Sequence, residues 1–315
     1  MSKGKVLVID SVHPSMIDRL AEMGYECETI AMDYPDLLGN IQKYAGLVIR
    51  SRCAVDKPVI DAAARLKFIA RVGAGMENID TLYAQQKGIA CLNSPEGNAD
   101  AVGEYVIGNL LALFRHTLQA DVQVRHGEWQ RKSNTGIELN SKIVGIIGYG
   151  NMGHSVAEKL SGFGCKVLVY DKYKRNYGDA NAEQVTLEIL QQQADIVSIH
   201  INYMPENYHY INSSFIGNFQ KNIYLVNTSR GKVLNTSDLV TALANGKVLG
   251  AVLDVLEYED IRLQNLPMNQ WDDAMHELAQ NANVILSPHI AGQTYESQEK
   301  HVKVLAEKIK QLSLD

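Results

Sequence analysis

The sequence has little that would tie it to a metal, a membrane or a nucleic acid. Its four cysteines, Cys27, Cys53, Cys91 and Cys165, lie far apart and form no C-x-x-C pair. That argues against a zinc site and for reduced, buried thiols in a cytosolic protein, so no metal is expected. No apolar stretch approaches the ~20 residues that span a bilayer. The opening MSKGKVLVID runs straight into a strand-like segment without signal-peptide architecture, and a cytoplasmic protein with no membrane partner is expected. A net charge of −6 removes the electrostatic reason to expect nucleic acid, so an anionic substrate would need a local basic cluster. Internal repeats, low-complexity tracts and long charge runs are also missing.

What is present describes a globular α/β chain. Hydrophobic residues make up 46% of the 315 positions and charged residues 21%, enough for two domains of ordinary size. Residues 1 to about 97 alternate strand and helix signals. Val6–Ile9, Tyr25–Ile30, Leu47–Arg50, Phe68–Ala70 and Ala90–Leu92 read as strands, and Pro14–Met23, Lys57–Ala64 and Thr81–Lys87 as helices. Repeated βα units imply a parallel sheet covered by helices. The turn formers from Asn93 to Asn98 suggest a hinge. A long apolar helix is expected from Ala101 to about Leu118, buried in its domain or against another subunit. Trp129, in the polar stretch 123–140, suits either an excursion onto a second subunit or packing on its own domain. Strands follow at Ile196–His200, Tyr224–Asn227, Gly250–Leu253 and Val284–Leu286, and a last helix at Ser297–Leu312.

The stretch Lys142–Asp171 carries the first chemistry. A short apolar run, Ile143–Ile147, leads into Gly148-Tyr149-Gly150-Asn151-Met152-Gly153, a G-x-G-x-x-G spacing, and then into a helical pattern. Gly148 permits a tight strand-to-helix turn, Gly150 a close backbone approach to a pyrophosphate, and Gly153 close packing of helix on strand. The free N–H groups of that helix would face phosphates. Asp171 follows 23 positions after Gly148, where a carboxylate accepts from adenosine ribose hydroxyls and repels a 2′-phosphate, which favours NAD over NADP. The fold class is therefore α/β: a Rossmann-type doubly wound sheet for the cofactor, plus a second α/β domain of flavodoxin type.

Further motifs follow strands at defined spacings. They are Asn227-Thr228-Ser229-Arg230-Gly231, then Asp254-Val255-Leu256-Glu257-Tyr258-Glu259, then Ser287-Pro288-His289-Ile290-Ala291-Gly292, with Arg71-Val72-Gly73-Ala74-Gly75 upstream. In this combination the chain resembles the D-isomer-specific 2-hydroxyacid dehydrogenases essentially end to end.

The resemblance implies a discontinuous substrate domain, residues 1–98 closed by 290–315, and an NAD-binding domain, 99–289, with the ligand in the cleft between them. It also implies roles that the chemistry requires. Removing a hydroxyl proton as a hydride leaves C2 needs a base that titrates near neutrality, and His289 would be it. Glu259 would hold the other ring nitrogen, and Arg230 would grip the substrate carboxylate and C2 oxygen with its guanidinium fork. Backbone N–H groups of Ala74 and Gly75 would take the second carboxylate oxygen. Asp254 would face the nicotinamide carboxamide, and Asn151, Met152, Thr228, Ser229 and Gly292 would complete the cofactor contacts. His200 reads as structural or close to the adenine side. Glu257 rivals Glu259 on proximity alone, and the family's spacing favours Glu259; His126 and His154 have no partner evident from sequence.

Within the family the D-3-phosphoglycerate dehydrogenases match best locally. Ile49-Arg50-Ser51-Arg52 resembles their phosphate-meeting arginine pair, able to make bidentate contacts in an acidic protein. Two departures stand out. The sequence ends at Asp315, without the serine-sensing regulatory domain of many such enzymes, so feedback inhibition by that route is not expected. Asn202 replaces a usual proline, and the segment Tyr203–Tyr210 is unusual. Other readings stay open: a glyoxylate or hydroxypyruvate reductase, a dehydrogenase for another 2-hydroxy acid, or an NADH-sensing binding protein. A homodimer or larger assembly is expected, as is usual in this family.

Overall fold

The computed structural model describes residues 3–259 and 266–312. The contacts divide these residues into two compact units, one running to Ala99 and resuming at Gln293, the other from Asp100 to Gly292.

The first unit begins with β1 (Gly4–Val8), α1 (Ser15–Glu22), β2 (Tyr25–Thr29), α2 (Tyr34–Asn40) and β3 (Gly46–Ile49). It continues with α3 (Lys57–Ala62), β4 (Phe68–Arg71), α4 (Thr81–Gln86) and β5 (Ala90–Leu92). The strands form a parallel sheet in the order β2-β1-β3-β4-β5. Strand residues alternate in direction, so β1 sends Leu7 into one core and Val6 and Val8 into the other. Both faces of β1, β3 and β4 are covered, which explains why these strands read as apolar runs, whereas the edge strand β2 alternates and leaves Glu26 exposed. Asp33, Asp56 and Asp80 cap α2, α3 and α4 by accepting a backbone N–H three residues on.

The second unit opens with α5 (Ala99–Phe114) and α6 (Thr117–Arg125). Here the structure corrects the expectation of one helix to Leu118. The chain breaks at His116, whose φ of 51° is left-handed, and a new helix sets off at Thr117. α5 buries Val102, Val106, Leu110, Leu113 and Phe114, whereas α6 buries none of its residues.

Then come β6 (Ile143–Ile147), α7 (Asn151–Leu160), β7 (Lys166–Tyr170), the two-residue β8 (Glu183–Gln184), α8 (Leu187–Gln193) and β9 (Ile196–Ile199). They are followed by α9 (Ser213–Gly217), β10 (Ile223–Asn227), α10 (Thr236–Ala244), β11 (Val248–Leu253), α11 (Asp273–Gln280) and β12 (Val284–Leu286). The sheet is parallel throughout, in the order β12-β11-β10-β9-β6-β7-β8. From β6 the chain steps to β7 on one side and to β9 on the other. β6 is therefore a topological switch point, where open α/β sheets take ligands beyond their carboxyl ends.

α12 (Tyr295–Gln311) returns to the first unit. A capping box between Thr294 and Ser297 starts it, and Val302, Leu305 and Ile309 join Val6, Val8, Met16 and Leu20 in one core. Each such apolar side chain contributes on the order of 1.5–3 kcal/mol on full burial. Among the described residues no helix is long and apolar enough to cross a membrane, and no group of three or more His, Cys, Asp or Glu could hold a metal ion.

Candidate active site

A parallel sheet delivers every strand exit to the same edge, and the candidate residues of the second unit all follow such exits. Gly148 comes after β6, Asp171 after β7, Thr228–Arg230 after β10, Asp254–Glu259 after β11 and His289 after β12. From β11 to β6 is three strand spacings, about 14 Å along that edge at 4.7–4.9 Å each.

The three glycines of the turn after β6 do different work. Gly148 has φ +90°, and a Cβ on it would sit 2.4 Å from the His200 carbonyl oxygen. At Gly153 a Cβ would meet the Gly148 carbonyl oxygen at 2.2 Å. Nothing lies within 4 Å of a Cβ built on Gly150, so that position faces open space at the start of α7. Asn151 is exposed as the first residue of α7, and Met152 packs against the core beneath. Asp171 accepts from the Tyr149 N–H at 2.9 Å, the Tyr173 N–H at 3.0 Å and the Lys174 N–H at 3.1 Å. Burial pushes its carboxyl up, but those N–H groups and the Lys174 charge outweigh burial and hold it below the ordinary value.

The turn after β10 is built on buried Asn227. Its side-chain oxygen accepts from the Ser229 N–H at 3.0 Å and the Ser229 hydroxyl at 2.8 Å, and its amide donates to the Arg230 carbonyl at 3.1 Å. The backbone is thus held in the shape that presents Arg230, whose Nη1 also donates to the Ser229 carbonyl at 2.7 Å. The Thr228 hydroxyl is buried without a hydrogen-bond partner among the described residues, an arrangement that a native site keeps when a ligand completes it.

Glu259 and His289 meet. His289 Nδ1 lies 3.0 Å from Glu259 Oε2, and Glu259 Oε1 accepts from the Leu256 N–H at 2.7 Å. Both side chains keep some exposure, 28% for His289 and 21% for Glu259, so the pair is reachable from solvent. His289 holds a left-handed φ of 57°, uncommon for a residue with a Cβ and a frequent mark of functional positions. Its N–H donates to the Asp254 carbonyl at 2.8 Å. Asp254 itself is fully buried. It accepts from Ser287 Oγ at 2.6 Å and from the Ile290 and Ala291 N–H groups at 2.8 and 2.7 Å, and thereby fixes the turn that carries His289 and runs on into Gly292. Burial raises the Asp254 carboxyl above its ordinary value despite those donors.

In the first unit, Arg50 and Arg52 leave β3 beside Asp10, which leaves β1, at that sheet's own switch point. The Asp10 carboxylate accepts the Arg50 N–H at 2.5 Å and pairs with Arg52 Nε at 3.3 Å. Arg50 Nη2 lies 3.5 Å from Gln293 Oε1, and Asn78 donates to the Arg50 carbonyl at 3.1 Å. Arg71, at the end of the adjacent β4, lays its guanidinium so close over Gly73 that a Cβ there would sit 1.7 Å from Nη1. Asn93 donates to the Ala74 carbonyl at 2.7 Å and Ser94 Oγ accepts the Gly73 N–H at 3.2 Å, which shapes the loop bearing Ala74 and Gly75.

Two of these participants, Asp10 and Ser94, escaped the reading of the sequence, and Arg71 and Asn227 entered it only as members of motifs, without a role of their own. Asp10 left a signal as a carboxylate just past the end of the first strand. Two histidines without an evident partner do have one: His126 Nδ1 bonds the Val122 carbonyl at 2.8 Å, and His154 Nε2 lies 3.3 Å from Asp179. His200 bonds Ser198 Oγ at 2.7 Å, and burial pushes its imidazole down to about 4.

Residues 107–291 match the D-isomer specific 2-hydroxyacid dehydrogenase, NAD binding domain. The chain belongs to the D-isomer specific 2-hydroxyacid dehydrogenase family. It is 35% identical to a hydroxypyruvate reductase of Thermotoga maritima over 88% of each chain. To a D-3-phosphoglycerate dehydrogenase of Archaeoglobus fulgidus it is 34% identical over 97% of its own length, which spans 56% of that protein. The crystal structure of a D-lactate dehydrogenase from Aquifex aeolicus, complexed with NAD and lactic acid, superposes with a TM-score of 0.82 at 27% identity over 97% of this chain and 94% of that one. As a member of this family the protein is an NAD-dependent oxidoreductase, and the open space at Gly150, the carboxylate of Asp171 and the orphan Thr228 hydroxyl fit that cofactor.

Proposed function

We propose that the protein interconverts a short D-2-hydroxy acid and its 2-oxo acid, with Arg230, Glu259 and His289 as the catalytic set. The contact between His289 Nδ1 and Glu259 Oε2 carries this reading. It leaves Nε2 as the nitrogen available for a substrate hydroxyl and makes Nδ1 the donor to the carboxylate, so one tautomer serves the exchange. Nε2 takes the hydroxyl proton in oxidation and returns it in reduction. Arg230 holds the carboxylate and the C2 oxygen, and its fixed charge favours the developing oxyanion. Bound NAD supplies the hydride acceptor. The turn Gly148–Gly153, Asp171, Thr228, Ser229 and Gly292 are the proposed cofactor contacts, and Asp254 acts through the His289 turn that it anchors.

For the substrate we propose D-3-phosphoglycerate, with Arg50 and Arg52 on its phosphate and the N–H groups of Ala74 and Gly75 on its carboxylate. Three arginines at the ends of two adjacent strands support an anionic group of that size. A second reading, reduction of hydroxypyruvate or glyoxylate, is favoured by the ion pair that already engages Arg52 with Asp10. A substrate panel with NAD(H) separates them. NADH formation from D-3-phosphoglycerate, with KM raised about tenfold in Arg52→Gln, supports the first, on the order of one charge-assisted contact. Turnover confined to unphosphorylated oxo acids supports the second, and no turnover of any 2-hydroxy or 2-oxo acid overturns the enzymatic assignment.

A further inference from the structure

The segment after β11 carries two glutamates, and each has its own histidine. Glu259 meets His289; Glu257 meets His209 through Nε2 and Oε1. His209 sits in the Tyr203–Tyr210 segment, at a left-handed φ of 50°, with its ring stacked on Tyr208 at 3.9 Å between centroids. The other oxygen of Glu257 accepts from the Thr236 N–H at 3.1 Å and the Thr236 hydroxyl at 2.9 Å, at the start of α10. Both oxygens are therefore engaged by residues other than the catalytic set.

The tautomer of His209 follows from its neighbours. Asn235 caps α10 by accepting the Asp238 N–H on its side-chain oxygen at 3.0 Å, so its amide nitrogen faces His209 Nδ1 at 3.2 Å. Nδ1 is then the acceptor, and Nε2 carries the proton given to Glu257. The His209 N–H also donates to the Lys232 carbonyl at 2.9 Å. His209 thereby ties three segments, 203–210, 230–236 and 254–259. Gly231 makes the same junction in backbone: a Cβ on it would lie 1.9 Å from the Leu256 carbonyl oxygen and 2.6 Å from the Glu257 nitrogen. Arg230 is bonded to that glycine, and Leu256 is the residue whose N–H holds Glu259.

We propose that His209 and Glu257 are positioning residues that clamp the Glu259-bearing turn against the Arg230-bearing turn, and so set the guanidinium and the carboxylate–imidazole couple in register. The proposal rests on the reading of Arg230, Glu259 and His289 as the catalytic set. Misplacing a reacting group by about 1 Å costs up to 10²-fold in rate, so losing one side of a clamp with a second, backbone contact costs about tenfold.

The test uses the whole protein with His209→Ala, Glu257→Ala and the double variant, and His209→Gln as the conservative replacement that keeps a donor. Each alanine variant is expected to lower kcat about tenfold with KM for NADH unchanged, the double to fall no further, and His209→Gln to recover most of the loss. Hydrogen exchange in the free protein should show the amides of 255–259 opening about tenfold faster in both alanine variants. Wild-type kcat in a folded alanine variant, an additive loss of about a hundredfold in the double, or unchanged exchange would overturn the clamp. A wild-type protein inert toward every 2-oxo acid would overturn the catalytic reading alone, while exchange still decides the clamp.

Discussion

At the scale of single residues, the glycine turn shows which features a sequence displays and which it conceals. The spacing of Gly148, Gly150 and Gly153 was legible because the motif is contiguous in sequence, although what a Cβ would meet differs: the His200 carbonyl at Gly148, open space at Gly150 and the Gly148 carbonyl at Gly153. The partners of Arg52, Glu257 and His301 were not, since Asp10, His209 and Ser94 reach them only through the fold. The reasons at Gly153 and Gly150 separate experimentally. Gly153→Ala should lower stability by about 1–3 kcal/mol in denaturant titrations, because the new methyl meets a backbone carbonyl that cannot give way. Gly150→Ala should leave stability as it is and weaken NADH binding, read by fluorescence. Equal effects of the two would contradict the division of labour. His289→Gln should cost roughly 10²- to 10⁴-fold in kcat, the usual range for a general acid–base, with NADH still bound.

Among the elements, α12 and the strands other than the two-residue, polar β8 announced themselves through apolar runs and periodicity, while β8 and the α5–α6 break did not. Nothing in a run of helix formers signals that His116 will turn left-handed. Nor does sequence show that α12 places His301 in a buried pocket. There its Nδ1 lies 2.8 Å from the Ser94 hydroxyl and 2.9 Å from the Ser94 carbonyl, and a Cβ on Gly97 would intrude at 2.4 Å. Burial drives the imidazole down to about 4; the Ser94 carbonyl pulls the other way, and Arg71 and Arg50 add to the lowering. A histidine depressed in the folded state takes up protons first in the unfolded chain, at about 6.5. Its contribution is therefore intact above pH 6.5 and is lost as pH falls toward 4, by at most about 1.4 kcal/mol per pH unit. Urea titrations between pH 7 and pH 4 should show that loss together with a like one from His200, and His301→Gln should reduce the slope by its own share.

For the molecule as a whole, α6 and the stretch after it present Leu118, Val122, Val124 and Trp129 to solvent, with Trp129 78% exposed. A surface of that kind marks an association site, and we expect a homodimer or homotetramer to cover it. Light scattering should return a multiple of 34.9 kDa, and Val122→Glu with Trp129→Glu should reduce it to one. A monomeric wild type would remove this expectation without touching the catalytic one. The family could be recognised end to end because its motifs occupy strand exits, where residue type and spacing are dictated by what must be held there. The substrate resisted because Arg50 and Arg52 take their meaning from Asp10 and Gln293, distant in sequence.

The return of α12 has a bearing on how the protein is made. During synthesis the five strands of the first unit leave the ribosome long before the helix that shields Val6, Val8, Met16 and Leu20. Roughly two hundred residues of another compact body must emerge in between. A nascent chain that has emerged as far as Gly292 would thus carry a finished second body and a first one with an open, sticky flank. That interval is when holding chaperones or premature aggregation would find it.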